Sequence, residues 1–150
     1  MPDGETSARF NLPLLMAGQA QKEVTHNEAL ALIDLALCPV VEAIGVTAPP
    51  PLPTLGQAWI VGSAPTGAWI GAAHALAGWT AGGWRFVQLP VGATIIVRVS
   101  GLIWRRNSTG WVAAPAVAAP IGGPVADAEC RAALSALVAA LASQGLVATV

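Results

Sequence analysis

Trp79-Thr80-Ala81-Gly82-Gly83-Trp84-Arg85-Phe86-Val87-Gln88-Leu89 lies in the middle of the chain and reads as a tight turn running into a strand. Two tryptophans bracket a short polar tract that carries Gly82 and Gly83, a hairpin signal, and 84–89 has the aromatic and β-branched content of a strand. The same grammar recurs on both sides. Trp59-Ile60-Val61 and Ala68-Trp69-Ile70 flank the turn-rich stretch 62–67. Residues 94–99 alternate and are β-branched, and 102–105 and 110–112 flank Asn107-Ser108-Thr109, a further hairpin signal. The Trp pairs 59/69, 79/84 and 104/111 amount to repetition at the level of hairpins, not a solenoid period. Residues 56–112 therefore read as a small Trp-rich antiparallel β-domain, a meander or barrel-like.

Working outward, both flanks are helical. Residues 17–37 contain few breakers, and Thr25-x-x-Glu28 is a capping-box pattern, so a helix starts near His26 or two helical pieces meet there. Pro39 ends the segment, because it lacks an N–H and disfavours helix in the residue before it. Residues 40–46 are consistent with one strand, and 1–11 with a flexible arm. After Pro49-Pro50-Pro51 and Pro53, which predict an extended linker, comes the β-domain. A Pro/Ala/Gly linker follows it, and then Asp127 as N-cap of a helix that runs to about Ser143 and stops at Gly145. Cys130, Leu134, Leu137 and Leu141 form an a/d-like seam on that helix. The seam falls short of the three to four heptads that establish a coiled coil. It serves equally a helix packed on its own domain and one that self-associates through Leu134, Leu137 and Leu141. The fold class is α+β: N-terminal arm and helix 1–46, Pro-rich linker 47–55, β-domain 56–112, linker 113–125 and C-terminal helix 126–145.

Composition narrows the function. Hydrophobic residues make up 55% and charged residues 10%, against about 25% charged in an ordinary soluble domain. Such a surface is expected to be covered by other copies or by a partner. The net charge of −1 offers no footprint for nucleic acid. The charges are segregated: no Asp or Glu lies between Ala43 and Ala126, a stretch that holds Arg85, Arg98, Arg105, Arg106 and His74. Apolar runs are broken by Pro or Gly well short of the roughly 18 residues of a membrane span. The start carries Asp3 and Glu5 where a secretory signal needs positive charge. Synthesis in the cytoplasm without a signal peptide and no membrane insertion are the expectations. Cys38 and Cys130 read as two buried free thiols, and neither has Cys or His at metal-ligand spacing.

Leu12-Pro13-Leu14-Leu15 and Gly18-Gln19-Ala20-Gln21-Lys22-Glu23-Val24-Thr25-His26-Asn27-Glu28-Ala29-Leu30 resemble the opening of a family of proteins encoded in phages, prophages and gene transfer agents of alphaproteobacteria. The elements Gly56-Gln57-Ala58-Trp59-Ile60-Val61-Gly62 and Gly82-Gly83-Trp84-Arg85-Phe86 resemble later motifs of the same family, as does the C-terminal helix. The similarity runs over nearly the whole chain. It implies a virion component, part of a head spike or tail fibre or its base, that contacts host surface polysaccharide. The partners it implies are capsid, tail, spike or fibre proteins, further copies of the chain as a trimer or pentamer, and host capsular polysaccharide. It carries over no catalytic residue.

The residues point the same way. Glycoside hydrolysis generally needs two carboxylates facing one site, and the β-domain has none. No nucleophile-elbow motif accompanies His26 or His74. No catalytic residue, cofactor or metal is expected. Six Trp beside two Phe and no Tyr serve first as core, since Trp supplies area in a domain rich in Ala and Gly. A flat indole also stacks on the apolar face of a pyranose. Trp79 and Trp104, near hairpin turns, are the candidate exposed pair, with Arg85, Arg105 and Arg106 for acidic sugars. Aromatic residues beside arginines also suit single-stranded nucleic acid, a weaker reading without a lysine cluster. In the N-terminal segment, Leu14, Leu15, Gln19, Gln21 and Val24 are candidates for docking on a particle; the alternative is that this helix covers the open face of the β-domain. Two other function classes compete: a stand-alone carbohydrate-binding module and a glycan hydrolase.

Overall fold

A computed structural model of the chain describes residues 6–119, 121, 123 and 127–148. Its elements, in order, are α1 (Lys22–Ala36), β1 (Val40–Val41), β2 (Ile44–Val46), β3 (Ala58–Val61), a 3-10 turn (Gly67–Trp69), β4 (Leu76–Thr80), β5 (Gly83–Val87), β6 (Thr94–Val97), β7 (Ile103–Arg106), β8 (Trp111–Ala113) and α2 (Ala128–Ser143). The architecture is α+β. The β-region forms two four-stranded sheets, ordered β2-β3-β4-β5 and β1-β6-β7-β8.

The two sheets are built alike. Each opens with a short parallel strand and continues as an antiparallel three-strand meander. Residues 40–46, expected as one strand, divide at Glu42-Ala43 so that β1 joins one sheet and β2 the other. Backbone donors at matching places in and beside β3 and β6 make equivalent bonds in the two sheets. The N–H groups of Gly56 and Gly92 donate to Trp79 and Arg106. Those of Ile60 and Ile96 donate to Ala43 and Pro39, and those of Gly62 and Arg98 to Val46 and Val41. Side chains hide the duplication. Where Trp59 faces Ala77, Ile95 faces Trp104; where Trp79 faces Trp84, Arg106 faces Trp111.

The aliphatic core joins the sheets to α1 through Leu35, Val41, Ala58, Ile60, Leu76, Leu89 and Ile95. A second cluster, Trp59, Val61, Trp69 and Ala77, lies on the other face of the β3–β4 pair. The expected strand at 68–70 is instead the 3-10 turn, which carries Trp69 inward until it is fully buried. Close packing of α1 on the sheet depends on Gly78. A Cβ there would overlap the Leu35 side chain.

Helix α1 begins at Lys22, later than residue 17, because Ala20 and Gln21 hold positive φ angles of 57° and 64° that a helix cannot continue. Thr25 lies inside the helix and caps nothing. The Glu23 carboxylate accepts from the Gly18 N–H at 3.3 Å instead.

Residues 6–11, expected as part of a flexible arm, are clasped. Asp34, 3% exposed, accepts from the Ser7 hydroxyl (2.5 Å), the Arg9 N–H (3.0 Å) and the Phe10 N–H (2.8 Å). The Arg9 guanidinium in turn donates to the carbonyls of Leu35, Cys38 and Val40 at 3.0–3.2 Å, satisfying the end of α1. Burial pulls the Arg9 pKa below its ordinary value, while the negative charge of Asp34 holds it up.

Both cysteines are free but exposed, not buried. Cys38 sits past the end of α1. Cys130 lies on α2, a helix with no buried residue. Asp127 caps α2 as expected, its carboxylate accepting from the Cys130 N–H at 2.8 Å. The extended conformation expected for 113–125 falls partly outside the described residues.

Candidate functional site

Alternation along β4 and β5 decides which side chains can share a site. Leu76 and Gly78 on β4, with Arg85 and Val87 on β5, face α1: Leu76 and Val87 belong to the aliphatic core, Gly78 meets Leu35, and the Arg85 Nε–H donates to Glu28 at 2.7 Å. Ala77 and Trp79, with Trp84 and Phe86, take the opposite face, as period-two side-chain geometry requires. Trp79 and Arg85, expected together, therefore stand on opposite faces of one hairpin.

The outer face carries a chain of indoles. Trp69 and Trp59 are buried with ring centroids 6.3 Å apart; Trp84 lies 5.1 Å from Trp69 and 5.6 Å from Trp59; Trp79 lies 5.1 Å from Trp84 at 63°. Edge-to-face packing of this kind adds about 1 kcal/mol per pair beyond area burial. The inner rings form a rigid base, while Trp79 and Trp84 are half-buried and Phe86 is exposed. Trp84 and Phe86 were missed in the sequence. The cue was available: Trp84 and Phe86 are two residues apart on one strand and so share a face, and the two-residue turn Ala81-Gly82 sets Trp84 opposite Trp79.

On the α1 side lies a groove of about 300 Å³ between the arm, the helix and the hairpin, with Leu14, Val24, Asn27, Glu28 and Arg85 in its wall and Trp79 at its lip. The Asn27 side chain grips the backbone of Leu15, accepting from its N–H at 2.9 Å and donating to its carbonyl at 3.0 Å. The docking candidates thus divide. Leu14 and Leu15 are half-buried in the folded arm. Gln19 and Gln21 are exposed before α1, and Val24 is 67% exposed.

The remaining sugar candidates lie in the other sheet. Trp104 packs against the aliphatic core, because β7 turns it inward opposite Ile95. It does not share the face of Trp79. Arg105 is exposed and lines a separate groove with Ile103, Asn107, Val112 and Leu146. The Arg106 guanidinium reaches the His74 carbonyl at 3.3 Å. On α2, Leu134 and Leu137 are 43% and 54% exposed and Leu141 is half-buried. Among the described residues, no His, Cys, Asp and Glu cluster could hold a metal ion, and no helix is long and apolar enough to cross a membrane.

No curated protein and no solved structure matches this chain. A family model described as "Protein of unknown function (DUF2793)" matches residues 26–112, from within α1 to within β8, taking in both sheets and leaving out the arm and α2. That match covers more than half of the chain, and the chain belongs to the DUF2793 family.

Proposed function

We propose that this chain is a non-enzymatic structural subunit of a phage or gene-transfer-agent particle, part of a head spike or tail fibre or its base, and that it meets host surface polysaccharide through the outer face of the β4–β5 hairpin. The opening motif's resemblance supports the particle. The observation that carries the sugar contact is Trp79, a half-buried indole held edge-on against Trp84 beside exposed Phe86. A ring fixed in this way offers apolar area to a pyranose at little cost in side-chain entropy.

The test is a titration of the purified chain with host capsular polysaccharide, followed by tryptophan emission. Saturable quenching is expected, and Trp79→Ala should weaken it by roughly tenfold, or about 1.4 kcal/mol. No response at any concentration would leave a purely structural base. Saturable binding with no affinity for particle components would favour a stand-alone module. Carboxylate-dependent release of sugar would make the chain a hydrolase.

The groove favours a second contact, with the particle. Leu14 and Val24 line it and Val24 is exposed, so Val24→Asp should release the subunit from purified particles while its circular dichroism stays native. An unfolded variant, or one still particle-bound, would remove docking from this face.

A further inference from the structure

We propose that residues 12–21 form a strap held closed against α1, and that freeing Leu15 from Asn27 winds residues 17–21 onto the front of that helix.

Helix α1 begins without a regular cap. Gln21 occupies the N-cap position in the left-handed region, at φ 64° and ψ 6°, and its side chain caps nothing. A capping residue is ordinarily extended, and its side chain accepts from the first turn. The Lys22 and Val24 N–H groups reach back only three residues, to the carbonyls of Gln19 and Gln21, at 3.2 and 3.3 Å. Glu23 accepts from Gly18 through one oxygen; its other, Oε2, is buried with no hydrogen-bond partner among the described residues. Burial of a polar oxygen without a partner is unfavourable.

Backbone strain lies at the same place. Among the described residues, four non-glycines have positive φ, and two of them, Ala20 and Gln21, are adjacent. Neither suits that region, where Cβ crowds the following carbonyl. Both are good helix formers. Gly18, at φ 98°, takes its positive angle freely. Strain of this kind persists only where the surroundings impose it.

The latch at Leu15 imposes it. Ser7, Arg9 and Phe10 are held at Asp34, and Leu15 is held at Asn27, so the arm runs back along α1 toward its start. The chain must then reverse within 17–21 to enter the helix, and the left-handed residues make that reversal. The Asn27 side chain fixes Leu15 by both its N–H and its carbonyl, at 2.9 and 3.0 Å. With Leu15 free, helical angles at 17–21 offer the carbonyls of 18–20 to the N–H groups of 22–24 in regular four-residue register. Leu14, part of the groove wall, and Leu15 leave with the strap. What takes up that apolar pair rests on the docking of Leu14 and Val24 to the particle; the winding itself does not.

The test follows the Cα chemical shifts of residues 17–21 in the full chain, where the parent should give non-helical values. Asn27→Ala removes both latch bonds and should move them to helical values, while tryptophan emission, which reports the β-region, stays native. Asn27→Asp keeps the acceptor, sets a charge against the Leu15 carbonyl and should move them part of the way. Adding Gln21→Gly to Asn27→Ala should return the balance about tenfold toward the closed strap, since glycine relieves the left-handed strain and weakens the helix. Gln21→Gly alone should raise the thermal midpoint. Shifts that stay non-helical in both Asn27 variants would overturn the winding, whether the strap remains closed or frays. A midpoint that does not rise with Gln21→Gly would overturn the strain that drives it.

Discussion

Helices α1 and α2 differ by a single residue in length, and α2 is the more apolar, yet α1 is built into the fold and α2 is not. What separates them is a few polar residues with distant partners. Asp34 gathers the arm, Asn27 grips Leu15, and Glu28 pairs with Arg85 on β5. These directional contacts bring Leu35 over Gly78. On α2 the cap at Asp127 is local, and the root at Gly145 holds only its C-terminal end to β7. Hydrophobicity supplies the drive to pack, and polar contacts with one geometry decide against what.

The comparison is most directly broken at Asp34. Replacing it with Ala leaves the Arg9 and Phe10 N–H groups and the Ser7 hydroxyl without their acceptor. It should cost about 3 kcal/mol in urea denaturation, since hydrogen bonds to a buried charge are the expensive ones to lose. Gly78→Val forces a side chain into Leu35 and should cost about 2 kcal/mol, read from thermal unfolding, by overpacking. Asp127→Ala removes the cap of α2 and should cost that helix about 1 kcal/mol, lowering far-ultraviolet helicity while tryptophan emission stays native. If emission changed as well, α2 would be part of the core and the contrast with α1 would fail. Glu28→Gln should cost only about 0.5 kcal/mol, fading with salt, because both partners of that pair are partly exposed.

The sequence was informative where chemistry is local. The turns at Gly82-Gly83 and Asn107-Ser108-Thr109 are hairpin turns; Asn107 closes its own by accepting from the Thr109 and Gly110 N–H groups at 2.9 Å. The Asp127 cap and the stop at Gly145 stand as read. The segregation of charge also finds its meaning: two arginines of the acid-free middle, Arg85 and Arg98, pair with Glu28 and Glu42 of the N-terminal segment. Of the candidate sugar site, only Trp79 stands on the aromatic face. Arg85 lies behind it and Trp104 belongs to the core, because strand register, not distance along the chain, decides which face a side chain takes.

By itself the amino-acid order determined the two hairpin turns, the Asp127 cap and the strands that carry Trp59, Trp84, Trp104 and Trp111, all consequences of residues a few positions apart. The tertiary structure alone decided that residues 40–46 split between two sheets, that residues 7–10 are clasped by Asp34, and that the indoles of Trp59, Trp69 and Trp79 gather around Trp84. Those outcomes depend on contacts between segments tens of residues apart. Each closes only when the strands have chosen their partners, a choice that no short window of sequence contains.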